Sequence, residues 1–200
     1  LFENVGFLLN VFNSTVLIFQ IMNENELLKL TYPVGKFEWN EKPNKEEIKK
    51  GITLLEEFPE KLRKSVSNLS KETLLNHYRP GSWTIAQVVH HLADSHMHSY
   101  LRFKHAILET TPSIKDYQEA HWAELPDASE TDLSYSLDLL TALHKRWTIF
   151  LNTLSEKDLS KTYYHPEREK YYPLNTTILI YAWHGEHHLA HIENAKKKGY

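Results

Sequence analysis

The sequence has no cysteine among its 200 residues. Disulfides, thiolate metal ligands and a cysteine nucleophile are therefore excluded, and the chain suits a reducing cytoplasm, where we expect it to act. It also lacks an excess of charge of either sign, since its formal net charge is only -3. Without a broad basic surface, we expect neither nucleic acid nor a membrane as a partner. Any bound metal would need His, Asp or Glu ligands.

Long unbroken hydrophobic runs are also missing. Residues 1–21 are apolar but are interrupted by Asn10, Asn13 and Ser14. A spanning helix needs about 20 largely unbroken apolar residues, and a signal peptide would open with basic residues, whereas Glu3 stands here. We predict that residues 1–21 are an extension translated ahead of a start at Met22, in preference to a membrane anchor. Residues 22–200 then form a single domain.

Four stretches have helical periodicity, and none alternates long enough to indicate a core sheet. Two begin at capping boxes, in which a polar residue is followed three positions later by an acid or amide: Asn44 with Glu47, and Thr84 with Gln87. We expect the third helix from residue 129 or 131 to residue 154, and the fourth from about 175 toward 198. The segment 162–174 could form a short hairpin. The sequence thus predicts an all-α four-helix bundle with long connections.

Thirteen histidines are the unusual feature of the composition, and several are concentrated in two of the predicted helices. On the fourth helix, His184 and His188 are four positions apart, so they lie about 40 degrees apart on one face and can share an ion. The same helical wheel places His191 near the pair and His187 further toward solvent. A pair of this kind is typical of a metal site, although hydrogen-bonded histidines are the simpler alternative.

The second helix repeats this geometry. Ser95, His98 and Arg102 lie within about 40 degrees of His91 on the helical wheel, and the four residues line one edge of the apolar stripe. His90 points to the more polar side. If the second and fourth helices are neighbours, His91 can face His184 and His188 and complete a three-imidazole site with open positions, as expected of a catalytic metal.

Four other residues are weaker candidates. Arg102 could bind an anionic substrate group, or could instead pair with Glu109 or Asp94. Glu186 could support a ligand or be a surface charge, and either His98 or Glu186 could act as general base. His144 interrupts a leucine stripe, and we interpret it as a buried histidine that donates to a backbone or carboxylate partner.

Several segments match a known family in order, and the match runs from about Tyr32 to Ile192. They are Tyr32–Phe37, Tyr78–Thr84, Val89–Met97 and Tyr181–Ile192. With these motifs the chain resembles the YfiT-like branch of the DinB superfamily.

The resemblance implies a four-helix bundle of DinB topology with extra short helices, a homodimer, and one zinc or nickel ion held by His91, His184 and His188. It implies a metal-dependent hydrolase that activates water against a small-molecule electrophile. Some relatives instead join a low-molecular-weight thiol such as bacillithiol to electrophiles, so a metal-dependent S-transferase is the alternative. A third hypothesis is a metal-stabilised bundle that only binds a ligand.

Overall fold

The computed structural model describes residues 24–200, and helices dominate this part of the chain. The α-helices, in chain order, are α1 (Glu24–Thr31), α2 (Lys45–Val66), α3 (Lys71–Leu74), α4 (Ile85–Leu108), α5 (Glu119–Trp122), α6 (Ser134–Leu151), α7 (Glu156–Leu159) and α8 (Leu174–Lys198). Two short 3-10 helices cover Pro126–Ser129 and Pro166–Arg168, and two strands, β1 (Thr162–His165) and β2 (Lys170–Pro173), form an antiparallel hairpin. The prediction for residues 1–21 falls outside the described residues.

Both predicted capping boxes are present at the starts of long helices. At α2, the Asn44 side chain accepts from the Glu47 backbone at 3.0 Å, and Glu47 accepts from the Asn44 backbone at 2.7 Å. At α4, Thr84 and Gln87 make the same reciprocal pair at 3.2 and 2.9 Å. Each pair satisfies donors that the first helical turn leaves free, so the starts of both helices are set by local sequence. The predicted hairpin within 162–174 is confirmed as well.

The predicted bounds of the third helix were wrong at both ends. It begins at Ser134, later than residue 129 or 131, because Asp132 accepts from the Ser134 backbone at 3.0 Å and residues 126–129 form a separate 3-10 turn. It ends at Leu151, three residues before residue 154, where the Thr153 hydroxyl donates to the Phe150 carbonyl at 2.7 Å. Local hydrogen bonds between side chains and the backbone therefore make the helix shorter than the apolar stripe in the sequence.

The four long helices form a closed bundle. α2 packs against α6 and α8, and α4 packs against the same two helices, so α2 and α4 lie on one diagonal and α6 and α8 on the other. The adjacency of α4 and α8 is the condition on which the predicted metal site depended. Each helix described between residues 24 and 200 is too short or too polar to cross a bilayer.

The apolar core has two clusters along the bundle axis. One contains Phe58, Leu62, Leu92, Leu140 and Ile192; the other contains Leu55, Phe103, Trp147 and Ile178. Between them lie His96 on α4 and His144 on α6, which are 0% and 1% exposed. The bundle therefore has a buried layer of imidazoles across its middle, and burial of polar rings at this depth requires hydrogen-bond partners.

The close approach of α8 to α2 depends on a glycine. A Cβ built on Gly185 would lie 2.8 Å from Cδ2 of Phe58. The Phe58 ring in turn stacks on His96, with centroids 5.3 Å apart and an interplanar angle of 24°. Gly185 thus makes room for the ring that covers one side of the histidine layer.

Candidate metal centre

Three histidines from two helices come together at one point. α4 supplies His91, and successive turns of α8 supply His184 and His188. The Nε2 atoms of His91 and His184 are 3.3 Å apart, and each of the three rings offers a nitrogen within 4.8 Å of the others. The fold therefore brings the predicted trio together. The atoms that approach one another are ring nitrogens, which are the atoms that imidazole uses to bind metals.

This spacing fits a divalent ion. Tetrahedral zinc binds imidazole nitrogen at about 2.0 to 2.1 Å, which places two ligand nitrogens about 3.3 to 3.4 Å apart. The separation between His91 and His184 already has this value. Three protein nitrogens leave a fourth position for water or substrate, which is the arrangement of catalytic rather than structural zinc.

The electrostatics of the trio also favour metal binding. Burial lowers the pKa of His91 to about 4 and holds the pKa values of His184 and His188 well below the usual range. All three rings are therefore neutral near pH 7, with a lone pair free for a cation. Metal ligands must be deprotonated, so no proton has to be removed from these rings at neutral pH.

A cavity of about 350 Å³ opens onto the three histidines. Its walls combine Trp and Tyr rings, with Trp83, Tyr117, Tyr163 and Tyr181 among them, and charged side chains such as Arg102 and Asp116. A cavity of this size is typical of a small-molecule site.

One wall of the cavity holds a charged group that includes Arg102. Asp116 Oδ1 lies 3.3 Å from Arg102 Nη2 and 3.4 Å from His165 Nε2. Burial alone would raise the pKa of Asp116, but hydrogen bonds with Glu167 and the Tyr117 backbone outweigh it, aided by the charges of His165 and Arg102, so the pKa falls below its ordinary value. Arg102 pairs with neither Glu109 nor Asp94, because the loop before α5 brings Asp116 to its guanidinium.

His98 faces a different space. It lies in a neighbouring cavity of about 1000 Å³, where its ring stacks on Tyr117 with centroids 4.2 Å apart and its Nδ1–H donates to the Asp94 carbonyl at 2.8 Å. This cavity is larger than the one at the histidine trio, yet it contains none of the three rings. Arg102, Asp116 and Tyr117 line both cavities and form the wall between them.

The chain is also similar to known proteins. The family model of the DinB superfamily matches residues 54–192. The chain belongs to the DinB superfamily.

Within the DinB superfamily, the chain is 43% identical over 171 residues to a Bacillus subtilis protein named "Putative metal-dependent hydrolase YfiT", covering 86% of this chain and 96% of that one. It is 46% identical over 169 residues to a Bacillus cereus (strain B4264) protein with a corresponding name, covering 84% and 96% of the two chains. The solved structure of YfiT, described as having "an unusual four-helix bundle topology", superposes with a TM-score of 0.83 at 44% identity and covers 85% of this chain and 97% of that chain. The predicted family and fold are confirmed.

Two histidines of this DinB-superfamily chain were placed wrongly by the helical wheel. His187 was expected nearer solvent but is 8% exposed, because it stacks on Trp183 with centroids 4.6 Å apart and lies beside Tyr32. His90 was expected on the polar side but is buried, with Nδ1 2.7 Å from Ser136 Oγ and Nε2–H donating to the backbone carbonyl of residue 130 at 2.9 Å. A helical wheel cannot show that segments distant in sequence cover a polar face.

Glu186 has no contact with the trio. Its carboxylate pairs with Lys61 at 3.6 Å, its side chain is 43% exposed, and it does not line the cavity. The structure therefore favours the surface-charge interpretation.

No role was predicted from the sequence for His96, Asp116 or His165. His96 is not spaced from another histidine of its helix in the way that a pair of metal ligands is. Asp116 and His165 lie in a loop and a hairpin, where no helical periodicity indicates the direction of a side chain. The interpretation of His144 was confirmed, since its Nδ1–H donates to the Leu55 carbonyl at 2.6 Å.

A second set of donor nitrogens comprises His187, His188 and His191. It shares His188 with the first set. A neutral imidazole has one lone pair on nitrogen, so His188 would have to lose its remaining proton to serve both sets. All three members of the first set line the cavity, whereas His187 and His191 do not, so His91, His184 and His188 are the candidate metal centre.

Proposed function

We propose that this chain is a metal-dependent hydrolase that acts on a small electrophilic substrate, with one divalent ion held by His91, His184 and His188. The convergence of these three nitrogens at a cavity of about 350 Å³ carries the proposal. The names of the relatives support it. Zinc is the first expectation and nickel the second, since neutral imidazole suits both ions.

The ion, when bound, supplies a Lewis acid that favours ionisation of water near neutral pH. The chain's own residues do the rest. Trp83 and Tyr181 line the cavity beside the ligands, and Arg102, held by Asp116, can donate to an oxygen of the substrate. The low pKa of Asp116 keeps its carboxylate ionised, so that it can hold the Arg102 guanidinium in place.

Three further expectations remain proposals. We propose a homodimer, and sedimentation analysis at several protein concentrations tests it. We propose a cytoplasmic location, which fractionation of the native cell tests. We also propose that the substrate is a small molecule, because a cavity of about 350 Å³ matches a metabolite rather than a folded partner.

Elemental analysis of untagged protein, for the wild type and for His91→Ala, His184→Ala and His188→Ala, tests the metal centre. We expect about one equivalent of zinc or nickel in the wild type and its loss in each variant. His98→Ala is the matched control, because this histidine also lies on α4 but in the neighbouring cavity, and it should retain the metal. Metal retained in all three ligand variants would refute the site.

A panel of small amides, esters and lactones, each assayed with and without a low-molecular-weight thiol, tests the activity. Turnover without thiol, lost when the metal is removed, is the expected result. Turnover only in the presence of thiol would identify the activity as thiol transfer instead of hydrolysis. Metal binding without turnover of either kind would indicate that the protein only binds a ligand.

A further inference from the structure

A chain of buried imidazoles runs from one ligand to the protein backbone. His184 Nδ1 lies 3.1 Å from His96 Nε2, and His96 Nδ1 lies 2.8 Å from His144 Nε2. His144 Nδ1 lies 2.6 Å from the Leu55 carbonyl oxygen on α2. The chain connects four helices, α8, α4, α6 and α2, and lies in the layer between the two apolar clusters.

The carbonyl at the end of this chain determines where every proton lies. A carbonyl oxygen only accepts, so the proton of neutral His144 must be on Nδ1, which leaves Nε2 as an acceptor. His96 must then donate from Nδ1 to His144 and accept at Nε2. His184 must donate from Nδ1, so its lone pair is on Nε2. That nitrogen is the one that faces His91.

A second chain starts at another ligand and ends in the same way. His191 Nε2 lies 3.3 Å from the Thr31 carbonyl, and His191 Nδ1 lies 3.4 Å from His188 Nδ1. The carbonyl again only accepts, so the proton of neutral His191 is on Nε2 and its Nδ1 accepts. His188 must then donate from Nδ1, which leaves its lone pair on Nε2 for the metal centre.

We infer that His96, His144 and His191 are positioning residues that fix the ring orientation and tautomer of His184 and His188, so that both ligands present an Nε2 lone pair before a metal arrives. This inference rests on the metal centre of the proposed function. Hydrogen bonds to the second nitrogen of a metal-bound histidine fix its orientation in this way, and their loss typically costs about 10- to 100-fold in metal affinity.

The two chains make distinguishable predictions because their intermediate histidines carry protons on different nitrogens. We expect the Nδ1–H tautomer for His96 and His144, and the Nε2–H tautomer for His191. Long-range ¹H–¹⁵N correlation spectra of the zinc-loaded protein, labelled with ¹⁵N-histidine, separate the two forms directly. An Nε2–H tautomer at His96 or His144, or an Nδ1–H tautomer at His191, would overturn the inference for that chain.

Zinc affinity, measured by competition with a chelator, gives a second readout. His144→Phe keeps a ring of similar size but removes the acceptor for His96, and His191→Phe keeps the stacking on Tyr78, whose centroid lies 3.8 Å away. We expect each to weaken zinc binding about 10- to 100-fold. His191→Gln, whose amide can both accept and donate, should recover most of the affinity.

Thr148→Val is the matched control for His144→Phe. It removes a buried hydroxyl one turn further along α6, which donates to the His144 carbonyl at 2.9 Å, without touching the imidazole chain. Its zinc affinity should equal that of the wild type. Equal affinity of His144→Phe and Thr148→Val would overturn a positioning role for His144.

Failure of this inference is distinguishable from failure of the metal centre. If the wild type binds one zinc and the tautomers differ from those expected, the centre stands and the positioning role falls. If the wild type binds no zinc, the proposed function falls, and the spectra of the metal-free protein still decide the tautomers.

Discussion

His91 and His184 are 93 positions apart in the sequence, yet their Nε2 atoms are 3.3 Å apart. This contact exists because α4 and α8 are neighbours in the bundle. In the proposed metal centre, an ion bound between these two histidines would therefore also link α4 to α8.

Zinc should therefore stabilise the folded protein, and His91→Ala should remove most of that stabilisation. A ligand at 100 times its dissociation constant adds about 2.7 kcal/mol, and loss of one of three ligands leaves the pair on α8 alone. Differential scanning calorimetry with zinc and with chelator measures the shift. His121→Ala, an exposed histidine bonded to Gln118, should keep the full zinc effect. An equal zinc-induced shift in His91→Ala would contradict this prediction.

The metal-free protein should lose stability as the pH falls. Burial lowers the pKa of His144 from 6.5 to about 4. Below pH 6.5 the unfolded chain binds a proton at this ring that the folded chain does not, so the free energy of unfolding decreases until about pH 4. This one ring would contribute about 3 kcal/mol over that window, at about 1.4 kcal/mol per pKa unit.

Urea denaturation in chelator at pH 7.5, 6 and 5 measures this slope. In His144→Phe, the slope of the free energy of unfolding against pH should be smaller by the equivalent of about one bound proton. This difference does not depend on the absolute stability of the variant. The pKa of His96 is also lowered by burial, so a residual slope of the same sign should remain. A slope unchanged by the substitution would show that His144 is not buried as a neutral ring.

Gly185→Ala should destabilise the protein although alanine favours helix by about 1 kcal/mol. The new Cβ would lie 2.8 Å from the Phe58 ring, which is fixed between α2 and the stacked His96. We expect a net loss of about 1 to 3 kcal/mol, as for other overpacked cores, measured by urea denaturation.

The double variant Gly185→Ala with Phe58→Leu tests the cause. The smaller side chain should relieve the clash, so the two substitutions should be less destabilising together than the sum of their separate effects. Additive effects would mean that Phe58 is not the residue that requires a glycine at 185.

Thr84→Ala should cost about 1 kcal/mol by removing the cap of α4. The Thr84 hydroxyl accepts from the Gln87 backbone at 3.2 Å, at the start of the helix that carries His91. Metal content should not change, because the cap lies outside the metal-binding trio. Thr84→Ser keeps the hydroxyl and should retain most of the stability; an equal loss in both variants would point to the lost methyl group instead of the cap.

Features that depend only on neighbouring residues could be predicted from the amino-acid sequence. These features are the capping boxes at Asn44 and Thr84, the apolar stripes, and the spacing of His184 and His188. They follow from helical geometry, which repeats every 3.6 residues and needs no tertiary contact. The resemblance to the superfamily named the same trio that the helical wheel had selected.

Tertiary packing, in contrast, sets which polar faces are covered. His187 lies beside Tyr32, which follows α1, and His90 contacts Ser136 and the backbone of residue 130. Segments distant in sequence therefore cover two positions that periodicity assigned to solvent. Asp116 reached Arg102, and His96 reached both His144 and His184, through contacts between segments whose distance apart in sequence gives no local signal. Local sequence sets the direction of a side chain relative to its own helix, whereas its partner depends on how the helices pack.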